Sequence, residues 1–236
     1  MSSSNDEVQE IEMNSLHEYI SEGKLIVESF KSLNARVQLH QIFSLPSHLD
    51  DYFFDPESRF LVSNGPLVLN QHLPLDWEEL EQLAPEGNWE LNGLVVLGDL
   101  TIEGNVLNTN MDSGPLLLVQ GNVIARNILS GGSEIFINGD AHIRDAVFGY
   151  YNHGSIEIVG NLYAGLIVMD DHMYNIKIEN TQVPAQYLDA DFTDGSDDLK
   201  ELNHILRQEI NSLRDLKNLI IEGDDILKPE AQNQLK

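Results

Sequence analysis

The chain contains no cysteine among its 236 residues, which excludes a disulfide framework and thiolate ligation of a metal. Basic residues are scarce: 13 Lys and Arg stand against 39 Asp and Glu, a formal net charge of −26. Nucleic acid and anionic membrane are held by Lys and Arg that neutralise phosphate, so both are disfavoured as direct partners and a basic protein suits the chain better. The deficit runs through the middle of the sequence, where residues 60–198 hold only Arg126, Arg144 and Lys177 against 21 Asp and Glu, or 3 − 21 = −18. The acidity is therefore not confined to a tail; it keeps the protein soluble, attracts a cationic partner, or both.

Long apolar runs are missing too. No window approaches the roughly 18 apolar residues of a membrane span, and the first residues, MSSSNDEVQEIEMNS, lack the basic and apolar regions of a signal peptide. A soluble, cytoplasmic protein is expected. There is no P-loop, no glycine fingerprint for a dinucleotide, no HExxH and no GxSxG, so the residues predict a non-enzyme without a cofactor.

What the chain does have is repetition. One phrase recurs four times, as LVVLGDL (94–100), LLLVQGNV (116–123), EIFINGDA (134–141) and SIEIVGNL (155–162), each an apolar run closed by Gly-Asp or Gly-Asn. The glycines Gly98, Gly121, Gly139 and Gly160 are spaced by 23, 18 and 21 residues. Such a period marks a solenoid, whose units bury their apolar faces only by stacking on one another. The fold class expected is mainly β: a right-handed parallel β-helix of about four to five coils, stacked at about 4.8 Å per rung, with helical flanks at both ends. In a typical unit LLLVQ is one strand, Gly121-Asn122 a corner, VIAR a second strand and NILSGGS the turn onward. The Gly, Asn and Asp suit corners that need positive φ or a bond from side chain to backbone.

Three regions follow: an N-terminal helical or irregular cap at 1–58, the solenoid at 59–182 and a C-terminal helical cap at 183–236. Residues 1–8 have the composition of a disordered lead-in. Ser15 and Glu18 can box the start of a helix bearing Met13, Leu16 and Ile20, which Gly23 ends. Residues 24–45 are apolar without a clear period, so helix and strand stay open there. Residues 59–75 read as an irregular first coil, followed by a helical insertion near 77–87 ended by Pro85 and Gly87. The run from 199 places Leu199, Leu202, Leu206 and Ile210 at helical spacing, and Ser212 with Asp215 can cap a second helix ended by Gly223. These helices either cover the last coil or form a dimer surface, leaving the protein a monomer or dimer.

The densest polar cluster is YYNHG (150–154) with DDHMYN (170–175). Stacking Gly139 on Gly160 puts Ile156 over Ile135, and Ile176 next over Ile156, so His153 and His172 should share a corner on adjacent coils. Tyr150, Tyr151, Asp170, Asp171 and Tyr174 would crowd the same edge. Three readings remain open. The side chains can serve the corner itself, two His and two Asp can hold a divalent ion, or aromatic and acidic groups can form a contact patch for a basic protein. The seven residues are taken as candidate partner contacts, with no metal assigned. His142 alternates with its strand and is expected to be exposed or packed. Calcium-binding β-roll spacing is absent, since GGSEIFINGD (131–140) has only the opening glycines. The carboxylates Asp140 and Asp145 do not stand out from the corner chemistry.

The coil phrases at 93–180 resemble the polymer-forming cytoskeletal proteins of the bactofilin-like group, whose core is a right-handed parallel β-helix of short coils ending in Gly-Asp or Gly-Asn. The irregular intervals, the interruption at 77–91 and the long flanks depart from that pattern and weigh against end-to-end polymerisation. FFDPESRFLV (53–62), with the YNHG and DDH phrases, looks more like the solitary β-solenoid proteins found beside bacterial polymorphic toxins. That resemblance implies an immunity protein that occludes a basic toxin domain. The alternatives are a structural polymer or scaffold and a metal-dependent carbohydrate-active or sugar-binding β-helix.

Overall fold

Among the described residues, fifteen strands join in one sheet that winds around an apolar interior in the computed structural model of the chain. The structure describes residues 16–43, 45, 49, 53–82, 91–177, 183–190, 192–193, 195–223 and 225–232. The expected lead-in at 1–8, Met13, Ser15, Pro85 and Gly87 lie outside them. The strands are β1 (Ile26–Ser29), β2 (Arg59–Ser63), β3 (Leu67–Leu69), β4 (Leu73–Pro74), β5 (Leu91–Val96), β6 (Leu100–Ile102), β7 (Val106–Leu107), β8 (Leu116–Val119), β9 (Val123–Ala125), β10 (Ile128–Ser130), β11 (Glu134–Ile137), β12 (Ala141–Tyr150), β13 (Ser155–Asp170), β14 (Met173–Lys177) and β15 (Ala185–Leu188). The helices are α1 (Phe30–Val37), α2 (Leu39–Phe43), α3 (Trp77–Glu81), α4 (Asp197–Ile205), α5 (Leu213–Ile221) and α6 (Pro229–Gln232), and residues 16–21 are also helical.

The pairing is parallel throughout the coils and makes a parallel β-solenoid of about four turns with three faces. The first face stacks β2, β5, β8, β11, the start of β13 and β14. The second stacks β3, β6, β9, the start of β12 and the middle of β13. The third stacks β4, β7, β10, the end of β12, the end of β13 and β15. Each coil therefore has three strands, not two strands and a turn: Ile128–Ser130, read as part of a turn, is β10. Its alternation is hidden because Ile128 faces the interior and Leu129 is buried on the outside as well. Residues 59–75 likewise form a three-stranded coil that pairs with the next one on all three faces, its irregularity confined to a register shift between Arg59 and Phe60 on the first face.

The repeat glycines sit where adjacent coils touch. Gly121 donates its N–H to Gly98 O at 2.9 Å and Gly139 to Gly121 O at 3.0 Å, and a Cβ on either would meet backbone of the coil before it. Their φ values are not positive, so close approach rather than left-handed backbone requires glycine here. The residue after each glycine makes a ladder: Asp99 Oδ1 accepts from Asn122 N at 2.7 Å, Asn122 Oδ1 from Asp140 N at 2.8 Å and Asp140 Oδ1 from Asn161 N at 2.7 Å. The Gly-Asp and Gly-Asn phrases are thus corner chemistry, as expected.

The flanks cover sides as well as an end. Leu16, Leu25 and Leu80 join the solenoid interior, and β1 pairs antiparallel with β2 and closes the first rung of that face. The undecided stretch 24–45 resolves into β1, α1 and α2, with Ser29 accepting the N–H of Ser32 at the start of α1. Phe30, Leu33, Leu39 and Phe43 from these helices pack with Phe53 and Phe54 over Phe60, Val95, Leu118 and Phe136 on the outside of the first face. At the C-terminus the expected Ser212–Asp215 capping box is formed and Gly223 follows α5 with φ +77°. The preceding helix α4 is shorter than expected; Leu206 is already extended at its end. Leu199, Leu202, Leu216 and Ile220 cover Leu129, Phe148, Leu166 and Val168 on the outside of the third face, rather than sitting on top of the last coil.

Candidate functional site

The Tyr150–Gly154 and Asp171–His172 segments form the corner between the third and first faces on adjacent coils. Tyr150 pairs with Asp170 on one side of it and Ser155 with Met173 on the other. His153 and His172 do share this corner. The register beyond it differs from the expected one: Tyr174 lies over Ile156, and Ile176 over Ile158, because this coil is shorter by two residues than the count assumed. Tyr151 and Asp171 both adopt left-handed backbone, with φ +71° and +52°. Non-glycine residues enter that region rarely, so the corner turns on two strained positions stacked one above the other.

The seven candidate residues divide by exposure. Tyr150 is buried and its hydroxyl donates to Thr109 O at 2.8 Å, while the Lys217 ammonium lies 4.3 Å from its ring centre. Burial, with the Asp76 carboxylate nearby, raises the Tyr150 pKa, so the phenol stays protonated. His172 is also buried, 6% exposed; its Nδ1 lies 2.7 Å from Tyr151 O and its Nε2 has no hydrogen-bond partner. With a carbonyl opposite it, Nδ1 carries the proton of the neutral ring. Burial lowers the His172 pKa, against a smaller opposing effect from the Tyr151 and Tyr150 carbonyls. Gly149 makes room for this ring, since a Cβ there would collide with it. Tyr174 is half-buried against the last rung of the interior.

Tyr151, His153, Asp170 and Asp171 stay at the surface. Tyr151 and His153 meet edge to face at 4.8 Å between ring centres, and Asn152 donates to Asp171 at 3.2 Å. His153 Nδ1 lies 3.2 Å from Asp112 O, so this ring leans toward the coils below and away from His172. Burial and then the neighbouring Asp171 raise the Asp170 pKa. Among the described residues no group of three or more His, Cys, Asp or Glu is placed to hold a metal ion. The corner brings together an aromatic pair and two carboxylates, an arrangement able to grip a cationic or amphipathic surface group.

Two further polar features, one at the corner between the second and third faces and one on lower coils of the candidate corner itself, are not evident from the sequence. Asn105, Asn127 and Asp145 are fully buried where the second and third faces meet; Asn127 Nδ2 donates to Asn105 Oδ1 at 2.9 Å and its Oδ1 accepts from Ala146 N at 2.9 Å. Asn105 Nδ2 in turn donates to Ile220 O at 2.7 Å, tying the ladder to α5. Asp76, just before α3, accepts from Asn108 Nδ2, Thr109 N, Thr109 Oγ1 and Asn110 N at 2.5–3.0 Å. The signal was present in NVLN and ARNILS as polar residues at the ends of apolar runs, but such residues also suit exposed turns.

The outside of the second face also went unread. Only the middle residue of each strand points outward there, giving the column Val68, Thr101, Ile124, His142 and Tyr163 in direct register. His142 is exposed, and its ring stacks on Tyr163 at 4.6 Å and 5°.

Comparison with known proteins finds no family model, no curated protein and no solved structure that matches the chain. Among the described residues no helix is long and apolar enough to cross a membrane.

Proposed function

We propose that this chain is a non-catalytic binding protein of the cytoplasm, an immunity protein that neutralises a basic bacterial toxin domain by occluding it. One observation carries the reading: Asp99, Glu103, Asp170 and Asp171 of the coils are exposed, while Arg126 and Arg144 are spent on the molecule itself. Arg126 donates to Gly223 O, and Arg144 pairs with Asp145 and Asp225. Both guanidinium groups therefore fasten the C-terminal flank, and the field seen by an approaching protein is negative. Opposite charge speeds encounter, and a few aromatic anchors such as Tyr151 set the residence time. A rigid frame suits such a role because little entropy is lost on binding. Right-handed winding and four to five coils, with helical flanks laid against their sides, complete this picture.

The test is co-expression of the full chain with the product of the adjacent gene. Rescue of growth, with a complex that weakens as salt rises, supports the reading; a non-toxic, non-binding neighbour counts against it. A bactofilin-like polymer is the second reading, favoured by the solenoid itself and opposed by β1, whose antiparallel pairing closes the first rung of the first face. Filaments seen by electron microscopy at physiological salt would reverse the order. A metal-dependent sugar-binding protein is the third, and metal analysis of protein purified without a His tag tests it.

A further inference from the structure

The first and third faces of the solenoid are covered by the chain's own flanks, whereas Val68, Ile124 and His142 on the outside of the second are exposed, the Tyr19 hydroxyl of the N-terminal helix meeting it at the Val68 carbonyl of its first rung. Its outward column is not uniformly polar. Val68 and Ile124 are 47% and 50% exposed, and the stacked His142–Tyr163 pair extends the strip by two rungs. Isolated exposed apolar side chains are common on protein surfaces, but these stand in one line on a rigid frame.

The line has a size and a charge. Four rung spacings of about 4.8 Å separate Val68 from Tyr163, so the strip is about 19 Å long, and three residues per strand make the face about 10 Å wide. An α-helix is about 10 Å across, rises about 5.4 Å per turn and covers 19 Å in about 13 residues, so its successive turns fall close to successive rungs. The corner leading into this face carries Asp99 and Asp140, each using one carboxylate oxygen to accept an N–H from the next coil and keeping its charge at the rim. Glu103 follows the strand at the opposite edge and is exposed, while Arg126 and Arg144 of that edge are engaged with the C-terminal segment. A second copy of this chain would set these acids against themselves. A partner with Lys or Arg beside its apolar stripe meets them with opposite charge.

We infer that the second face is a docking surface for a cationic amphipathic helix of a partner protein, its apolar stripe lying along the column at Ile124 and its Lys or Arg residues reaching the Asp99–Asp140 rim. The inference rests on the reading of the chain as a binding protein and names the surface and the element that it grips. It adds a contact surface to that of the Tyr151 corner.

The test uses the full chain and a fluorescein-labelled, Leu/Lys-patterned helical peptide of fourteen residues, with a scrambled peptide of equal composition as control. Fluorescence anisotropy should show binding of the patterned peptide, at least about tenfold weaker binding of the scrambled one, and a similar loss in Ile124→Asp. Tyr163→Ala, which leaves Ile124 in place, should weaken binding less, and circular dichroism should show both variants folded. Equal binding of patterned and scrambled peptides would mean charge attraction alone and overturn the inference, as would unchanged binding by Ile124→Asp or no binding at all. Co-expression with the adjacent gene product separates this from failure of the function: a toxic neighbour neutralised equally well by Ile124→Asp leaves the immunity reading standing and removes this surface.

Discussion

The second and third faces of the solenoid come from the same coils but meet different fates. Outward on the third face, Leu107, Leu129, Phe148, Val168 and Tyr187 form one column in register; outward on the second, the column is Val68, Thr101, Ile124, His142 and Tyr163. The third-face column begins with four apolar residues and is covered by α4, α5 and α6. In the second, Thr101 and His142 interrupt the apolar residues, and exposure of the strip is tolerable. A parallel coil offers three outward surfaces of nearly identical backbone, so side-chain composition alone decides which one the chain must shield.

The largest effect should come from breaking the shielded side. Phe148 is 1% exposed between the third face and the C-terminal helices. Replacing it with Ala should cost about 3–5 kcal/mol, the range for buried aromatic truncations. Urea denaturation followed by circular dichroism measures this. A cost under about 1 kcal/mol would mean that the helices do not depend on the face beneath them.

A smaller loss is expected at the seam between the two faces. Asn127→Ala removes the partners of Asn105 Oδ1 and Ala146 N, both buried, and should destabilise by about 1–3 kcal/mol. Because Asn105 Nδ2 holds Ile220 O, hydrogen exchange in α5 should quicken in this variant more than exchange in β9. Equal changes in both would show that the ladder supports the solenoid alone.

How much of this contrast was legible beforehand follows from what each position does. The stacked glycines and their Asp or Asn neighbours announced the coils, because close approach and corner ladders demand those residue types repeatedly. The capping box at Ser212 was readable for the same reason: it is local chemistry. The third strand of each coil was not, because Ile128 and Leu129 are both buried, one by the interior and one by helices from the far end of the chain, and no period survives. His153 and His172 share one corner as the register predicts, but the burial of Tyr150 and His172 there is not readable from the sequence. Tyr150 and His172 fall inside because Lys217 from α5 lies over the Tyr150 ring and Gly149 opens a space for the His172 ring, neither of which the local sequence reveals.

The pH dependence of stability should also belong to the shielded side. His72 Nδ1 accepts from Asn105 N at 3.0 Å, so the folded state needs that nitrogen unprotonated. Burial, then the Arg126 charge, holds the His72 pKa below its ordinary value near 6.5, and burial does the same for His172. The unfolded chain therefore takes up protons first as pH falls. Both histidines contribute stability in full above about pH 6.5, and that contribution is lost on acidification below it. Urea midpoints at pH 7.5 and 5.5 should differ in this direction, and His72→Asn, which keeps an acceptor but does not titrate, should narrow the gap. An unchanged gap would exclude His72 as a source.

The smallest effect is the one that completes the contrast. Ile124 is half exposed in the middle of the open column, so Ile124→Ala removes little buried area and should leave stability within about 0.5 kcal/mol of the parent. The outward position of the next coil is His142, which stacks with Tyr163 rather than with Ile124, so no packed neighbour is left over a void. A loss of 2 kcal/mol or more, as in buried aliphatic truncations, would mean that Ile124 is covered in solution, by another part of this chain or by a second copy. The two can be told apart, because only a second copy makes the melting temperature depend on protein concentration. A concentration-independent loss would move the second face into the shielded class and make composition of the outward column a poor guide to which faces the chain leaves open.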